Sequence, residues 1–217
     1  MHFELLVEDQ SGKRMLEDLV PRIVGDNHTY TIHHYKGIGR IPKNLRSGVD
    51  ANKRILLDQL PRLLQGYGKT FQNYPEETPA AVIVVCDLDD KCLKAFRGEL
   101  LAILDRCDPK PQTKFCLAIE EGEAWLLGDL AAIKRAYPKA KETVMIGYTN
   151  DAICGTWECL ADAVYPGGSK ALKAKGWQAI GAEKSVWAEK ISRHMDIKTN
   201  ASPSFVYFRE TMRGFAR

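Results

Sequence analysis

The chain has 217 residues, of which 31 are Lys or Arg and 28 are Asp or Glu, giving a formal net charge of +3. This length suffices for one α/β domain with an extension and for a substantial buried core. The nearly balanced charge neither requires nor excludes a nucleic-acid partner. The six cysteines lack a Cys-x-x-Cys pair or a His at ligand spacing, which argues against a zinc site or a disulfide framework.

The chain shows no signal peptide at its first residue, Met1, and no long apolar run. A helix that crosses a membrane needs about 18 or more consecutive apolar residues. The sequence therefore predicts a soluble, cytoplasmic protein with no membrane contact.

The first predicted element is a short apolar strand, Phe3–Val7, which ends in an acidic loop that starts at Glu8. Apolar residues at helical spacing then predict a helix over residues 13–24. Ser11 is the expected N-cap, and Gly25 is expected to close the helix. The pattern indicates a strand-turn-helix unit with a glutamate at the turn.

A second strand, Thr29–Tyr35, is predicted from its β-branched and aromatic residues. A basic loop with two glycines follows and carries Lys36, Arg40 and Lys43. Such a loop is suited to contact with phosphate, although its spacing is not that of a P-loop. A surface connection without a binding role is the alternative. An amphipathic helix is predicted next, over residues 49–64.

The central feature is Ala81–Cys86, an uninterrupted apolar run that leads into Asp87, Asp89 and Asp90. A short, β-branched run without alternation is typical of a parallel strand buried on both faces. Ligands bind at the carboxyl edge of such sheets. Strand alternation predicts that Asp87 and Asp89 point the same way, whereas Asp90 is the expected cap of the following helix. The alternative is a polar strand end that only caps this helix.

A further apolar strand over residues 115–119 also ends in acids, at Glu120, Glu121 and Glu123. A parallel sheet brings the carboxyl ends of its strands to one edge, so these acids are expected to converge with Glu8, Asp87 and Asp89. A helix is predicted over 124–136. Its dipole alone favours negative charge in the first turn, which is the alternative explanation for Glu121 and Glu123.

The last third of the chain contains short helical segments separated by Gly and Pro, with one possible strand at residues 143–146. Its aromatic residues are expected to form core: Trp157, Trp177, Trp187, Phe205, Tyr207, Phe208 and Phe215. The predicted architecture is an α/β fold with a parallel, Rossmann-like sheet between helices over residues 1–135. A helical extension over 136–217 packs on it, and its terminal helix starts at Pro203 with Ser202 as N-cap.

Carboxylates without His or Cys partners suit Mg²⁺ or Mn²⁺ rather than zinc. Such ions polarise phosphoryl oxygens and generate a nucleophile from water, so phosphoryl or phosphodiester chemistry is the physical inference. Glu8 is a candidate general acid or base. Ser or Cys nucleophilic catalysis lacks support, since no Ser-His or Cys-His pairing stands out in the sequence.

The Leu5-Leu-Val-Glu8 and Asp87-Leu-Asp89 segments resemble the signature of the Toprim (topoisomerase-primase) family over residues 1–135. Four segments resemble stand-alone bacterial Toprim proteins of the OLD type (overcoming lysogenization defect), which are encoded beside an ABC/SMC-type ATPase: 6–12, 37–40, 121–127 and 202–205. The resemblance implies a Toprim-like sheet, a Mg²⁺-dependent nuclease of DNA or RNA, and an ATPase partner in antiviral or anti-plasmid defence.

By position, Glu8 matches the first glutamate of the Toprim signature, and Asp87 and Asp89 match its metal-binding pair. Gly12 and Lys13 stand where OLD-type nucleases carry another acid for a second metal. Asp9, Glu121 and Glu123 are the candidates to replace that acid. Lys13 is a candidate phosphate ligand, and the alternative is a solvated lysine at the start of the helix. Two alternatives remain at this stage: a non-catalytic Toprim-like regulatory subunit, and a metal-dependent phosphotransferase or phosphatase acting on a small molecule.

Overall fold

The computed structural model of the protein describes residues 1–42, 53–152 and 155–216. Its four strands are β1 (His2–Val7), β2 (Thr29–His34), β3 (Ala80–Asp87) and β4 (Thr113–Ala118). They form one parallel sheet in the order β2-β1-β3-β4. The predicted α/β fold, with a parallel sheet between helices and a helical C-terminal region, is confirmed.

The helices of the described residues are α1 (Gln10–Val24), α2 (Leu56–Phe71), α3 (Leu93–Leu104), α4 (Glu123–Leu127), α5 (Leu130–Ala136), α6 (Glu142–Ile146), α7 (Thr156–Val164), α8 (Gly168–Lys173), α9 (Trp177–Ser192) and α10 (Pro203–Phe215). Within those residues, no helix combines the length and the apolar character needed to cross a membrane.

The central strand β3 supplies side chains to two hydrophobic cores, one on each face of the sheet. Ala81, Ile83 and Val85 pack with α1 and the C-terminal helices, whereas the alternate residues of β3 pack with α2 and α3. The apolar run of β3 lacks alternation because both of its faces are buried. One core extends from β1 into α10, so the sheet and the C-terminal helices share it.

Most of the C-terminal aromatic residues are buried as predicted. Trp125 of α4 stacks on Phe208 with ring centroids 5.0 Å apart, and Phe205 meets it edge-on at 5.6 Å. The prediction was wrong for Trp177 and Tyr207, which are 81% and 39% exposed. Helical spacing alone does not reveal which residues of a helix face other elements.

Several local predictions of helix caps and element boundaries were wrong. The N-cap of α1 is Asp9, whose carboxylate accepts from Gly12 N at 2.8 Å and from Ser11 Oγ at 2.7 Å. The N-cap of α3 is Cys92 rather than Asp90. The predicted helix over 124–136 is divided, because Asp129 accepts from Ala132 N and starts a second helix. Residues 143–146 are helical.

The amphipathic helix predicted over 49–64 is observed as α2, which starts later and continues to Phe71. Its first predicted residues, 49–52, lie outside the described residues, and so does Lys43. In α3, Phe96 and Leu100 are buried, whereas Leu93 and Leu101 are 46% and 41% exposed.

Candidate active site at the carboxyl edge of the sheet

The two central strands bring Glu8 and Asp87 into direct contact. Val7 pairs with Val85 in the parallel register, so both acids emerge at the same edge of the sheet. Glu8 Oε2 accepts a hydrogen bond from Asp87 N at 3.0 Å. The parallel sheet predicted that Glu8 and Asp87 converge, and the structure confirms it.

Glu121 and Glu123 approach the same place from the segment that follows β4. Glu123 is only 2% exposed and lines, together with Glu8 and Asp87, a cavity of about 30 Å³. That volume accommodates one or two water-sized species. We refer to Glu8, Asp87, Glu121 and Glu123 as the acid cluster.

Lys184, a residue of α9, reaches into the acid cluster from the C-terminal region. Its Nζ lies 3.0 Å from Glu123 Oε2 and 3.3 Å from Glu121 Oε1, and its side chain is 13% exposed. Burial alone lowers the pKa of Lys184, but Glu123, Asp87 and Glu121 together raise it well above its ordinary value. The ammonium is therefore a permanent positive charge within the cluster.

One ammonium does not compensate four carboxylates, and the pKa values of the acids reflect this. Burial raises the pKa of Glu8 from 4.5 to about 7, although its bond from the Asp87 N–H opposes the shift. Burial and the charge of Glu8 raise the pKa of Asp87 well above its ordinary value. Burial likewise raises the pKa of Glu121 to about 7, and it also raises the pKa of Glu123. Strongly shifted pKa values that cluster in a cleft are typical of functional sites.

The donor chemistry of the acid cluster fits a hard divalent cation. Among the described residues, the buried Oε2 of Glu121 has no hydrogen-bond partner, whereas Oε2 of Glu123 lies 3.0 Å from Lys184 Nζ. Mg²⁺ needs only one or two protein carboxylates, because water and substrate phosphate complete its shell. In the part of the chain that the structure describes, no three His, Cys, Asp or Glu side chains converge as a ready-made metal cage. Among the described residues, Lys184 pairs with Glu121 and Glu123 but not with Glu8 or Asp87.

Asp89 lies at the edge of the cluster rather than beside Asp87. The strand ends at Asp87, and Asp89 adopts a left-handed backbone conformation with φ of 50°. Its carboxylate pairs with Lys91 Nζ at 2.6 Å and is 42% exposed. The expected alternation of Asp87 and Asp89 fails because the backbone turns between them.

Lys13 and Asp9 both have local partners on α1. Lys13 pairs with Glu17 at 3.6 Å, while the Asp9 carboxylate is used as the helix cap. Steric contact explains why position 12 is a glycine, because a Cβ there would lie 2.6 Å from Val7 Cγ1. Helix and strand approach too closely at this point for the acid that the resemblance places there.

The basic loop after β2 is attached directly to the site. Gly37 N donates to Glu8 O at 3.0 Å, and both Lys36 and Arg40 are exposed. Among the described residues, neither cation has a carboxylate partner. Two of the three proposed phosphate-binding residues thus lie on a loop that is hydrogen-bonded to Glu8.

Glu120 has a structural task. Its carboxylate accepts from Gly155 N at 2.8 Å and Thr156 N at 2.6 Å, at the start of α7. The residue that the sequence reasoning missed is Lys184. It lies more than 60 residues beyond Glu123 within a predicted helix, and a single lysine among 31 basic residues carries no signal.

The fold and the site define a Rossmann-like α/β protein with a partly buried acidic cluster and one lysine at the carboxyl edge of its parallel sheet. A family model described as Domain of unknown function (DUF4276) matches residues 7–213, so the chain belongs to that family. The match spans β1 to α10 and includes both the acids and Lys184. No curated protein and no solved structure matches the chain.

Proposed function

We propose that the protein is a Mg²⁺- or Mn²⁺-dependent nuclease that hydrolyses phosphodiester bonds of DNA or RNA. The observation that carries the proposal is the partly buried pair of Glu8 and Asp87, hydrogen-bonded across adjacent strands beside the buried Glu123. Placing negative charges together at a sheet edge is unfavourable unless a cation compensates them. A hard divalent ion bound there polarises a phosphoryl oxygen and activates water.

The residues divide the remaining tasks by position. Glu8 and Asp87 would hold the ion, and the raised pKa of Glu8, about 7, suits proton transfer near neutral pH when no ion occupies it. Lys184 presents an ammonium that can neutralise charge on a phosphate oxygen, while Glu121 and Glu123 hold this ammonium in place. The exposed cations Lys36 and Arg40 suit the phosphates that flank the reacting one.

The Toprim resemblance supports the same chemistry, because its glutamate and first aspartate coincide with Glu8 and Asp87. It extends the proposal to an ABC/SMC-type ATPase as partner and to a role in antiviral or anti-plasmid defence inside the cytoplasm. Asp89 belongs to the proposal as a ligand only if Lys91 releases it. Their partly exposed ion pair contributes little stability, so this release is inexpensive.

A non-catalytic regulatory subunit is the second candidate, and the position of Lys184 favours it. An ammonium between Glu121 and Glu123 neutralises charge without a metal, and Gly12 occupies the position of a second-metal acid. Such a subunit would bind its ATPase partner through the same fold and cut nothing. A small-molecule phosphotransferase or phosphatase would instead act on nucleotides without cutting polymers.

The test combines metal binding with cleavage. Purified protein, alone and with the product of an adjacent ATPase gene, is incubated with DNA and RNA in Mg²⁺, Mn²⁺ or EDTA. We expect metal-dependent cleavage that Glu8→Gln and Asp87→Asn reduce by about a hundredfold or more. Calorimetric titration with Mn²⁺ should show binding to the wild type and much weaker binding to both variants.

Asp26→Asn is the matched control, because Asp26 is an exposed acid at the opposite end of α1. It should cleave and bind Mn²⁺ like the wild type. Mn²⁺ binding without cleavage of any polymer, with or without the ATPase, would contradict the nuclease and favour the regulatory subunit. Release of phosphate from nucleotides without strand cleavage would favour the phosphotransferase or phosphatase.

A further inference from the structure

A second concave site lies beside the acid cluster, between the basic loop and the first turns of α3. It has a volume of about 440 Å³, within the range of small-molecule sites. Arg40 and Lys91 line it together with an apolar surface that includes Ile41 and Phe96. We call this site the loop groove.

The loop groove is a built feature, because the basic loop is fixed to α2 by its backbone. Gly37 O and Ile38 O accept from Leu56 N at 3.1 Å and Leu57 N at 2.8 Å. Arg40 N donates to Asp58 Oδ1 at 3.0 Å. These bonds hold the backbone of Arg40 in place, while its guanidinium remains exposed and without a carboxylate partner among the described residues.

Two contacts connect the residues of the groove to the acid cluster. On one side, Gly37 N binds Glu8 O, so the loop starts at the backbone of a cluster residue. On the other, Lys91 pairs with Asp89, whose charge acts on the carboxylate of Glu8. These two contacts place the groove next to the acid cluster.

We infer that the loop groove binds one nucleotide of a nucleic-acid strand, the one next to the phosphodiester at the acid cluster. Its phosphate contacts Arg40 and Lys91, and its base lies against the apolar surface. Glu99 also lines the groove and its charge is unfavourable for a second phosphate, so the groove binds a single nucleotide. This inference rests on the proposed function, and it identifies the substrate as a flexible nucleic-acid strand.

Cys92 supplies a reporter for this binding without any engineered label. It is an exposed cysteine in the wall of the groove, whereas Cys86, Cys107 and Cys116 are buried. A bound nucleotide should slow the alkylation of Cys92 by N-ethylmaleimide, measured by mass spectrometry of the Cys92 peptide. Cys159, which is partly exposed in the C-terminal region, serves as the internal reference.

The probes are AMP, adenosine, inorganic phosphate and a short oligothymidylate, tested in EDTA on the Asp87→Asn protein. AMP and oligothymidylate should slow alkylation of Cys92 but not of Cys159, and adenosine and phosphate alone should act far more weakly. Arg40→Glu should weaken protection by about tenfold or more, since it replaces a charge-assisted hydrogen bond by repulsion. Lys91→Met should weaken it in the same direction.

Arg62→Glu is the matched control. Arg62 lies in a second basic groove of about 480 Å³, which also contains Lys69 and Arg106 at the other end of α3. The inference is overturned if Arg62→Glu weakens protection as much as Arg40→Glu, if adenosine protects as well as AMP, or if no probe protects Cys92. A protein that cuts nothing but shows Arg40-dependent protection contradicts the proposed function alone.

Discussion

Ionising Asp87 is unfavourable in the folded protein because its carboxylate is buried beside Glu8. An acid whose pKa is higher in the folded than in the unfolded state holds more protons when folded, so the free energy of unfolding falls as the pH rises. For Glu8, whose pKa rises from 4.5 to about 7, this loss occurs between those two pH values. The metal-free acid cluster therefore destabilises the protein most at neutral and alkaline pH.

The first prediction is that Asp87→Asn stabilises the metal-free protein. At about pH 8 we expect its Tm to rise by about 2–4 °C, the shift that about 1 kcal/mol gives at this chain length. The rise should shrink as the pH falls towards about 3, where the wild-type acid is protonated in both states. Thermal melts in EDTA across this pH range measure it. Asp26→Asn should leave Tm unchanged, and a lower Tm for Asp87→Asn would show that Lys184 more than compensates its charge.

The second prediction concerns Lys184→Met. Removing the ammonium leaves Glu121 and Glu123 without their cation, and breaking a buried ion pair in this way typically costs about 3 kcal/mol or more. Urea unfolding at about pH 8 should show that loss. The loss should be smaller at about pH 5, where Glu121, with its pKa of about 7, is already protonated.

Glu123→Gln provides the control for Lys184→Met. If the ion pair causes the loss, the double variant should be more stable than Lys184→Met alone, because no buried charge at position 123 remains unpaired. Additive effects in this double-mutant cycle would show that Lys184 stabilises α9 by packing rather than by charge.

At the scale of elements, the third prediction tests how the basic loop is held. Gly39 has φ of 71°, and a Cβ there would lie 2.0 Å from Ile55 Cγ2. Gly25 has a similar φ of 77° but nothing within 4 Å of its Cβ position. Gly25→Ala should cost about 1–3 kcal/mol for its backbone conformation alone, because its φ of 77° and ψ of 179° lie in a region that is essentially restricted to glycine, and Gly39→Ala should cost clearly more. Chemical denaturation compares the two, and equal losses would mean that the loop moves away without resistance.

The elements that sequence could predict are those decided by local periodicity. The apolar run of β3 and its acidic end predicted a doubly buried strand, and the parallel order then predicted that Glu8 and Asp87 meet. Ser202 was correctly predicted as the N-cap of α10, since its Oγ accepts from Phe205 N. These features depend on neighbours in the chain or on the regular geometry of a parallel sheet.

The features that sequence missed depend on the geometry of turns and on distant contacts. Asp89 does not alternate with Asp87 as expected for a strand, because Asp89 itself has a positive φ. No pattern of side chains in the sequence predicts that backbone conformation. The N-cap of α1 is Asp9 rather than the predicted Ser11. Both side chains can cap a helix, and in the structure the Asp9 carboxylate accepts the hydrogen bonds from Gly12 N and Ser11 Oγ. Lys184 reaches the acids only through the packing of α9 on α1 and α4, a long-range contact without local signature.

At the scale of the molecule, the segment 202–205 binds the last helix to the helix that carries Glu123. Ser204 Oγ accepts from Trp125 Nε1 at 2.9 Å, and Asn200 Nδ2 donates to Trp125 O at 2.8 Å. Asp151 accepts from Ser202 Oγ at 2.7 Å and from Ser204 N at 2.6 Å. The segment 202–205 therefore has a structural role: it fixes α10 against α4, the helix that begins at Glu123.

The last prediction is that residues 1–135 do not fold cooperatively without the rest of the chain. Their core includes Trp125, which packs on Phe205 and Phe208, and the acid cluster would lose Lys184. Removing residues 136–217 exposes this apolar surface to water, which is unfavourable in proportion to its area. Circular dichroism melts should show no sharp transition, and a dye that binds exposed apolar surface should fluoresce more strongly than with the full chain.

In the full chain, Phe208→Ala isolates the packing part of this dependence and should cost about 3–5 kcal/mol, because Phe208 is fully buried against Trp125. Val206→Ala, a truncation at a less buried position of the same helix, should cost much less. A sharp, two-state melt of the 1–135 fragment would instead show that the sheet with α1 to α4 is an independent folding unit. The acid cluster would then form without α9, and Lys184 would act on it only as a later addition to an existing site.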